Sequence, residues 1–346
     1  MNPHPLEQDL DHILNHTRGL WEELRGARLF LTGGTGFFGC WLLESFTWAN
    51  DRLGLGAEAV VLTRNPEAFH KKAPHLAAHP AVRLYAGDVR DFAFPPGAFS
   101  HVIHAATDVG NRRGAPEQPM ETLDTIVTGT RRVLDFAAAC GTPKLLLASS
   151  GTVYGRQQPE LTHLPETYSS TPNPLEPLSA YGEGKRLAEN LCAQYLARHG
   201  IQTKIARGFA FVGPYLPLDA HFAVGNFIRD ALRGGPVAVN GDGTPYRSYL
   251  YAADLAVWLW TILFRAPAGR PYNVGSGEAV TILETARIVA ATATPPRAVT
   301  VAQSPGLGPP QRYVPDVARA KAELGLEPTV PLAEAIRRTL RYYGKK

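Results

Sequence analysis

The segment Thr32-Gly33-Gly34-Thr35-Gly36-Phe37-Phe38-Gly39 restricts what this chain can fold into more than any other. It follows the short apolar run Arg28-Leu29-Phe30-Leu31 and precedes a helical stretch at residues 41–48. Strand, glycine-rich turn and helix in that order predict one specific unit. The glycines let the backbone turn tightly and touch a pyrophosphate, whose charge rests on the N-terminus of the following helix. Further apolar runs at 59–62, 82–85, 101–104 and 144–148 read as strands, and a long helix is expected from about 121 to 139. Strands alternating with helices predict a doubly wound parallel sheet of the Rossmann type, an α/β fold. The strands are mostly apolar rather than strictly alternating, which fits burial on both faces.

The rest of the chain sets bounds. Its 346 residues suit one large α/β domain or a nucleotide-binding domain with a smaller appendage. Residues 1–26 read as an amphipathic helix carrying Leu6, Leu10, Ile13, Leu14, Trp21 and Leu24. It is taken as a packing helix over the sheet, with a lid or a dimer contact as the alternative. Residues 27–208 read as the Rossmann domain. Residues 209–346, rich in proline and glycine, read as a smaller C-terminal lobe ending in a helix at 332–343. With 35 basic against 31 acidic residues and no long basic cluster, electrostatic binding of nucleic acid is not expected. Cys40, Cys140 and Cys192 are too few and too scattered for a disulfide framework or a zinc site, so no metal is expected. The longest mostly apolar run, 255–264, is about half a membrane span. The N-terminus is polar and lacks the apolar core of a signal peptide. The expectation is a cytoplasmic protein working on small molecules, with no membrane partner.

Two later segments carry chemistry. Tyr181-Gly182-Glu183-Gly184-Lys185 places a tyrosine and a lysine on one helical face. A phenol near its free pKa of about 10 is a poor base, and a neighbouring ammonium is expected to favour the phenolate. Ser149-Ser150-Gly151-Thr152-Val153-Tyr154-Gly155 follows the fifth strand.

Together with the GxxGxxG spacing, which differs from the GxGxxG of most dinucleotide-binding dehydrogenases, these segments resemble the extended short-chain dehydrogenase/reductase superfamily. Within it the chain is similar to the NAD-dependent epimerase/dehydratase family of nucleotide-sugar enzymes, over about residues 28–340. The resemblance implies NAD or NADP held by Gly33, Thr35, Gly36, Phe37, Phe38 and Gly39. Asp88 and Val89 would lie at the adenine, and Ala105 and Ala106 beside the cofactor. It makes Ser150, Tyr181 and Lys185 the catalytic set, Tyr181 and Lys185 also meeting the cofactor.

At the tip of the second strand the sequence is Leu62-Thr63-Arg64-Asn65, with no acid to bind the adenosine ribose. Arg64 is either a ligand for a 2′-phosphate, which favours NADP, or a surface arginine. His104 reads as a packed histidine, not a catalyst. For the substrate, a nucleoside-diphosphate sugar, the resemblance implies Thr107, Asp108, Ser150, Thr152, Asn226, Arg247 and Arg312. Arg247 lies in Gly241-Asp242-Gly243-Thr244-Pro245-Tyr246-Arg247-Ser248-Tyr249, where Ser248 replaces the family's usual aspartate. His221 is a further residue placed near the sugar. A homodimer joined through a four-helix bundle of residues 121–139 and 181–199 is also implied.

Departures from the family pattern narrow the reaction. Sugar 4,6-dehydratases carry an Asp-Glu pair after the catalytic hydroxyl, and decarboxylating relatives keep the glutamate; here those places hold Gly151 and Thr152. The expectation is an epimerase acting at C4 through a 4-keto-sugar, a cycle that favours bound NAD. A one-way NADPH-dependent 4-ketoreductase is the alternative. Behind it stand a dehydratase with relocated acids and a catalytically silent dinucleotide sensor or scaffold, though the retained Tyr-Lys pair speaks against the last.

Overall fold

The computed structural model describes residues 4–107 and 118–344. Seven parallel strands form its central sheet: β1 (Arg28–Thr32), β2 (Glu58–Thr63), β3 (Val82–Ala86), β4 (His101–His104), β5 (Lys144–Ser150), β6 (Gln202–Gly208) and β7 (Pro271–Val274). Their spatial order is β7-β6-β5-β4-β1-β2-β3. The order reverses between β1 and β4, and the crevice at such a switch point, beyond the carboxyl ends of the strands, is where this architecture binds ligands.

Alternation along the strands explains why both faces are buried. Leu29 and Leu31 of β1 join Val61, Ile103 and Leu146 on one face. There they meet two helices, α2 (Phe37–Leu53) and α6 (Ala252–Arg265). Phe30 joins Val60, Val102, Leu145 and Leu147 on the other face, under α3 (Pro119–Ala139) and α4 (Ala180–His199). Helix α6 and strand β7 therefore lie within the sheet domain, although they come from the C-terminal third of the chain. The rest of the chain beyond β6 carries α5 (Ala223–Leu232), α7 (Leu332–Gly344) and a small ribbon with Tyr246–Arg247 between Val280–Thr281 and Arg312–Tyr313.

The N-terminal segment differs from the expectation of one helix. Helix α1 runs only from Glu7 to His16, and a separate turn of 3-10 helix covers Trp21–Leu24. Gly19 between them has a φ of +78°, a left-handed conformation that ends a helix. The break lets Trp21 turn inward. Its indole donates to Thr17 Oγ1 at 2.8 Å and packs 4.8 Å from the Trp260 ring on α6. Asp9 of α1 accepts from Tyr251 at 2.7 Å and from Arg338 of α7 at 2.5 Å. Further out, buried Glu44 of α2 lies 3.4 Å from His4 Nε2 and 2.8 Å from His75 Nε2, and accepts from the Tyr215 hydroxyl. His4 Nδ1 accepts the Leu6 N–H, which leaves Nε2 carrying the ring's hydrogen toward Glu44. The cluster is a filled hydrogen-bond network that pins the segment down. Among the described residues no helix is long and apolar enough to cross a membrane.

Because Trp21 is fully buried, Trp21→Ala is expected to lower unfolding free energy by about 3–5 kcal/mol in urea titration. A loss under about 1 kcal/mol would mean that the segment is peripheral.

Candidate active site

The site assembles at the carboxyl ends of β1, β4, β5 and β6. At the end of β1 the chain enters the glycine turn, where Gly33 has a φ of +73°. A Cβ there would sit 2.4 Å from the Ala105 carbonyl beyond β4, so only glycine permits the contact. A Cβ on Gly39 would lie 2.3 Å from the Gly33 oxygen, which presses the first turn of α2 onto the loop. Gly36 caps α2, and the helix presents its unpaired N–H groups there. Phe37 and Phe38 begin α2 half-buried, with Phe38 edge-on to Phe211 at 5.0 Å. Lys72, which the sequence did not single out, donates to the Thr35 carbonyl at 2.7 Å. Ala106 donates its N–H to Thr32 Oγ1.

His104 bridges Thr32 Oγ1 (2.7 Å) and Thr130 Oγ1 (3.0 Å), and burial pushes its pKa down to about 3. It is a neutral structural link between β1, β4 and α3.

Along the adenine side, Arg64 is exposed beyond β2. Asp88 is clamped by Arg90 at 2.9 and 3.1 Å, and this guanidinium holds the carboxyl below its usual range. Val89 is buried against Gly129 of α3. The narrow glycine cradle, the open helix end and the buried Thr107 Oγ1 beside the Tyr181 hydroxyl all fit a dinucleotide reaching from Asp88 across to Tyr181.

The chemistry-bearing side chains come from β5 and α4. Ser150 ends β5, and one turn of α4 puts Tyr181 and Lys185 on the same face. Lys185 is fully buried, donates to the Ala148 carbonyl at 2.8 Å and lies 5.8 Å from the Tyr181 ring centre. Burial pulls its pKa down to about 8. The expectation that this ammonium lowers the Tyr181 pKa is not met in the protein alone. Burial of the phenol dominates and raises it, against the opposing pull of the Ser150 and Thr107 hydroxyls. Thr152 donates to Ser150 Oγ twice, from its backbone N–H at 3.2 Å and its hydroxyl at 3.0 Å.

Two groups near this centre went unread in the sequence. Glu189, one turn beyond Lys185, accepts from Ser149 Oγ at 2.5 Å and from Arg207 at 2.9 and 2.6 Å. Arg207 also donates to Tyr154 OH at 2.8 Å. The spacing 181, 185, 189 was the available signal for Glu189. Tyr313 enters from the C-terminal ribbon, its hydroxyl beside Ser150 and its ring 4.7 Å from that of Phe209. A Cβ on Gly151 would lie 2.7 Å from the Tyr313 oxygen. The tyrosine thus fills the space that any side chain at 151 would need, and no local pattern could show it.

The substrate-side expectations scatter more widely. Arg247 pairs in register with Tyr313, and Arg312 with Tyr246, so the two arginines leave the ribbon on opposite faces. Arg312 stacks 4.0 Å over the Tyr246 ring. Asn226 donates to the Ala220 and Phe222 carbonyls at 2.9 Å each and accepts from Arg229 at 2.7 Å. Ser248 is fully buried, with no hydrogen-bond partner for its hydroxyl among the described residues. His221 is exposed, and Asp108 lies outside the described residues.

Comparison with known proteins gives this geometry a context. Residues 29–275 match the model of the NAD dependent epimerase/dehydratase family. The chain is 31% identical to UDP-glucuronic acid decarboxylase 1 of Xenopus tropicalis, over 92% of this chain and 72% of the relative. Among solved structures it is 26% identical to a UDP-galactose 4-epimerase, covering 92% of this chain and 99% of that one with a TM-score of 0.72. A dTDP-glucose 4,6-dehydratase from Streptomyces venezuelae, solved with NAD bound, shares the fold at a TM-score of 0.78 and 24% identity, over 92% and 97% of the two chains.

The buried lysine carries a pH signature. Its folded pKa of about 8 lies below the unfolded value of 10.5, so holding the charge in the fold costs stability below pH 8. That cost fades as pH rises from 8 toward 10.5. Wild type is therefore expected to gain roughly 2–3 kcal/mol on Lys185→Met across that window in denaturant titrations. Parallel curves for the two proteins would show that Lys185 titrates normally.

Proposed function

The chain belongs to the NAD dependent epimerase/dehydratase family, and we propose from that premise that it epimerises a nucleoside-diphosphate sugar at C4. The carrying observation is a hydroxyl and ammonium centre, Ser150, Tyr181 and Lys185, with no carboxylate at 151 or 152. Such a centre can move one hydroxyl proton while hydride leaves or returns at the same carbon. Glu189, the carboxylate beside Lys185 among the described residues, is sequestered by Arg207 and Ser149 and is not placed to strip a proton from a neighbouring carbon.

In this reading Tyr181 takes the proton of the C4 hydroxyl and later gives it back. Ser150 donates to the oxygen as it becomes a carbonyl, and Lys185 orients Tyr181 and the nicotinamide ribose. Bound NAD would accept and return the hydride, and its positively charged ring would favour the phenolate that burial alone disfavours. The Gly33–Gly39 loop, Arg64, Asp88, Val89, Ala105 and Ala106 would hold that cofactor. Arg247, on the Tyr313 face of the ribbon, suits a diphosphate oxygen, while Thr107 and Thr152 border the sugar. Arg312 and Asn226 are assigned to the rim of the nucleotide site.

A second reading, an NADPH-dependent 4-ketoreductase, is favoured by exposed Arg64 and by the absence of an acid beside it. The likeness to UDP-glucuronic acid decarboxylase keeps decarboxylation as a comparator, against which the missing glutamate at 152 speaks.

Denaturing the purified protein and weighing any released dinucleotide separates the first two readings. Stoichiometric NAD is expected for a closed epimerase cycle, whereas an empty site that takes up NADPH would favour the reductase. With UDP-galactose and UDP-glucose as probes, Tyr181→Phe is expected to lose about 10²–10⁴-fold in turnover while still binding NAD. Near-normal turnover would overturn the assignment of the base, and carbon dioxide release from UDP-glucuronic acid would overturn the reaction.

The assembly belongs to the same proposal: a homodimer through a four-helix bundle of α3 and α4 from each subunit. These helices lie side by side, and Met120 and Leu187 stand exposed on them. Sedimentation at micromolar concentration is expected to give a dimer, and a purely monomeric species would refute it.

A further inference from the structure

The hydroxyl of Ser150 has one hydrogen to give and two lone pairs to be filled. Both donors that reach it from its own strand end belong to Thr152, whose backbone N–H and side-chain hydroxyl lie 3.2 and 3.0 Å from Ser150 Oγ. They are brought there by the 3-10 turn Gly151–Tyr154, which Ser150 itself caps. With its acceptor capacity occupied, Ser150 is left to act outward as a donor. On that side stand the Tyr181 phenol and the space above it, with the Tyr313 hydroxyl flanking.

We infer that Thr152 is a positioning residue: its hydroxyl saturates the Ser150 oxygen and so commits the Ser150 proton to Tyr181 and to the sugar oxygen. The inference rests on the reading of Ser150 as the hydroxyl beside the reacting carbon. It also gives position 152 a purpose where no carboxylate stands at 151 or 152. A glutamate there would be an ionised acceptor, and it would draw the Ser150 proton to itself instead of filling the serine's lone pairs. Thr152 does the opposite, because a hydroxyl can donate. When the Thr152 hydroxyl is removed, Ser150 Oγ regains a free lone pair, the neutral phenol of Tyr181 can donate into it, and the phenolate loses its advantage.

The test compares Thr152→Val, which keeps the shape and deletes the hydroxyl, with Thr152→Ser, which keeps the hydroxyl and deletes the methyl. Thr152→Ala carries the same expectation as valine should valine fail to pack. In NAD-saturated protein labelled with [¹³C]tyrosine at Cζ, the Tyr181 signal is assigned by its loss in Tyr181→Phe and followed against pH. The Tyr181 titration is expected to move upward by about one unit in Thr152→Val and to return in Thr152→Ser. With UDP-galactose, kcat is expected to fall about tenfold in Thr152→Val with little change in KM, and to recover in Thr152→Ser. An unmoved Tyr181 titration in folded Thr152→Val overturns the proposal. So does a serine variant as impaired as the valine one, which would make the methyl group the relevant part. Failure of the functional reading looks different: wild type would leave UDP-galactose unconverted while the titration still reported on Thr152.

Discussion

Two backbones meet where β1 ends beside β4, and the rest of the site depends on that meeting. Gly33 approaches the Ala105 carbonyl so closely that no side chain fits between them. Parallel pairing of β1 with β4, in register from Leu29–His101 to Thr32–His104, delivers both strand ends to one level. Thr32 and His104 then lock together through their side chains, and the same histidine reaches Thr130 on α3. One polar link buried in apolar surroundings thus fixes the floor of the crevice, where an unpaired polar group would be costly. The glycine turn, the start of α2 and the strand end beside it follow from that geometry.

Above this floor the site is a set of hydroxyls and one ammonium, each constrained by what surrounds it. Burial alone would favour neutral forms throughout, and it does raise the Tyr181 phenol and loosen the Lys185 proton. The Ala148 carbonyl holds the ammonium, and Thr152 holds the serine oxygen. Behind them, Glu189 and Arg207 neutralise each other against Ser149 and Tyr154, which keeps a carboxylate of α4 paired beside Lys185. The result is a cluster of hydroxyls around one buried ammonium, with the carboxylate beside it among the described residues already paired.

The C-terminal part of the chain contributes to both layers of the molecule. Helix α6 and strand β7 complete the sheet domain, while the ribbon of Tyr246–Arg247 and Arg312–Tyr313 brings an arginine and a tyrosine over the site. The N-terminal segment packs on the opposite side, through Trp21 against Trp260 and Asp9 against Tyr251 and Arg338. Core and lobe are therefore stitched by α6 and α7, with the segment before β1 acting as a buried wedge.

The family, the parallel sheet and the residue types that gather at the candidate site were legible in the sequence because each rests on short-range order. Glycine spacing before a helix, a period of two in buried strands, and a tyrosine and lysine four apart on one helical face are all local. Three things were decided only by tertiary structure. The N-terminal segment broke at Gly19 because Trp21 had a buried slot to fill, and periodicity does not report a slot. Tyr313 came to stand against Gly151, more than 160 positions away, by strand pairing in the ribbon. The Tyr181 phenol moved upward rather than downward because its burial outweighs the pull of the Ser150 and Thr107 hydroxyls. Helical spacing shows which groups share a face, but desolvation depends on everything packed around them, and only the completed fold determines that.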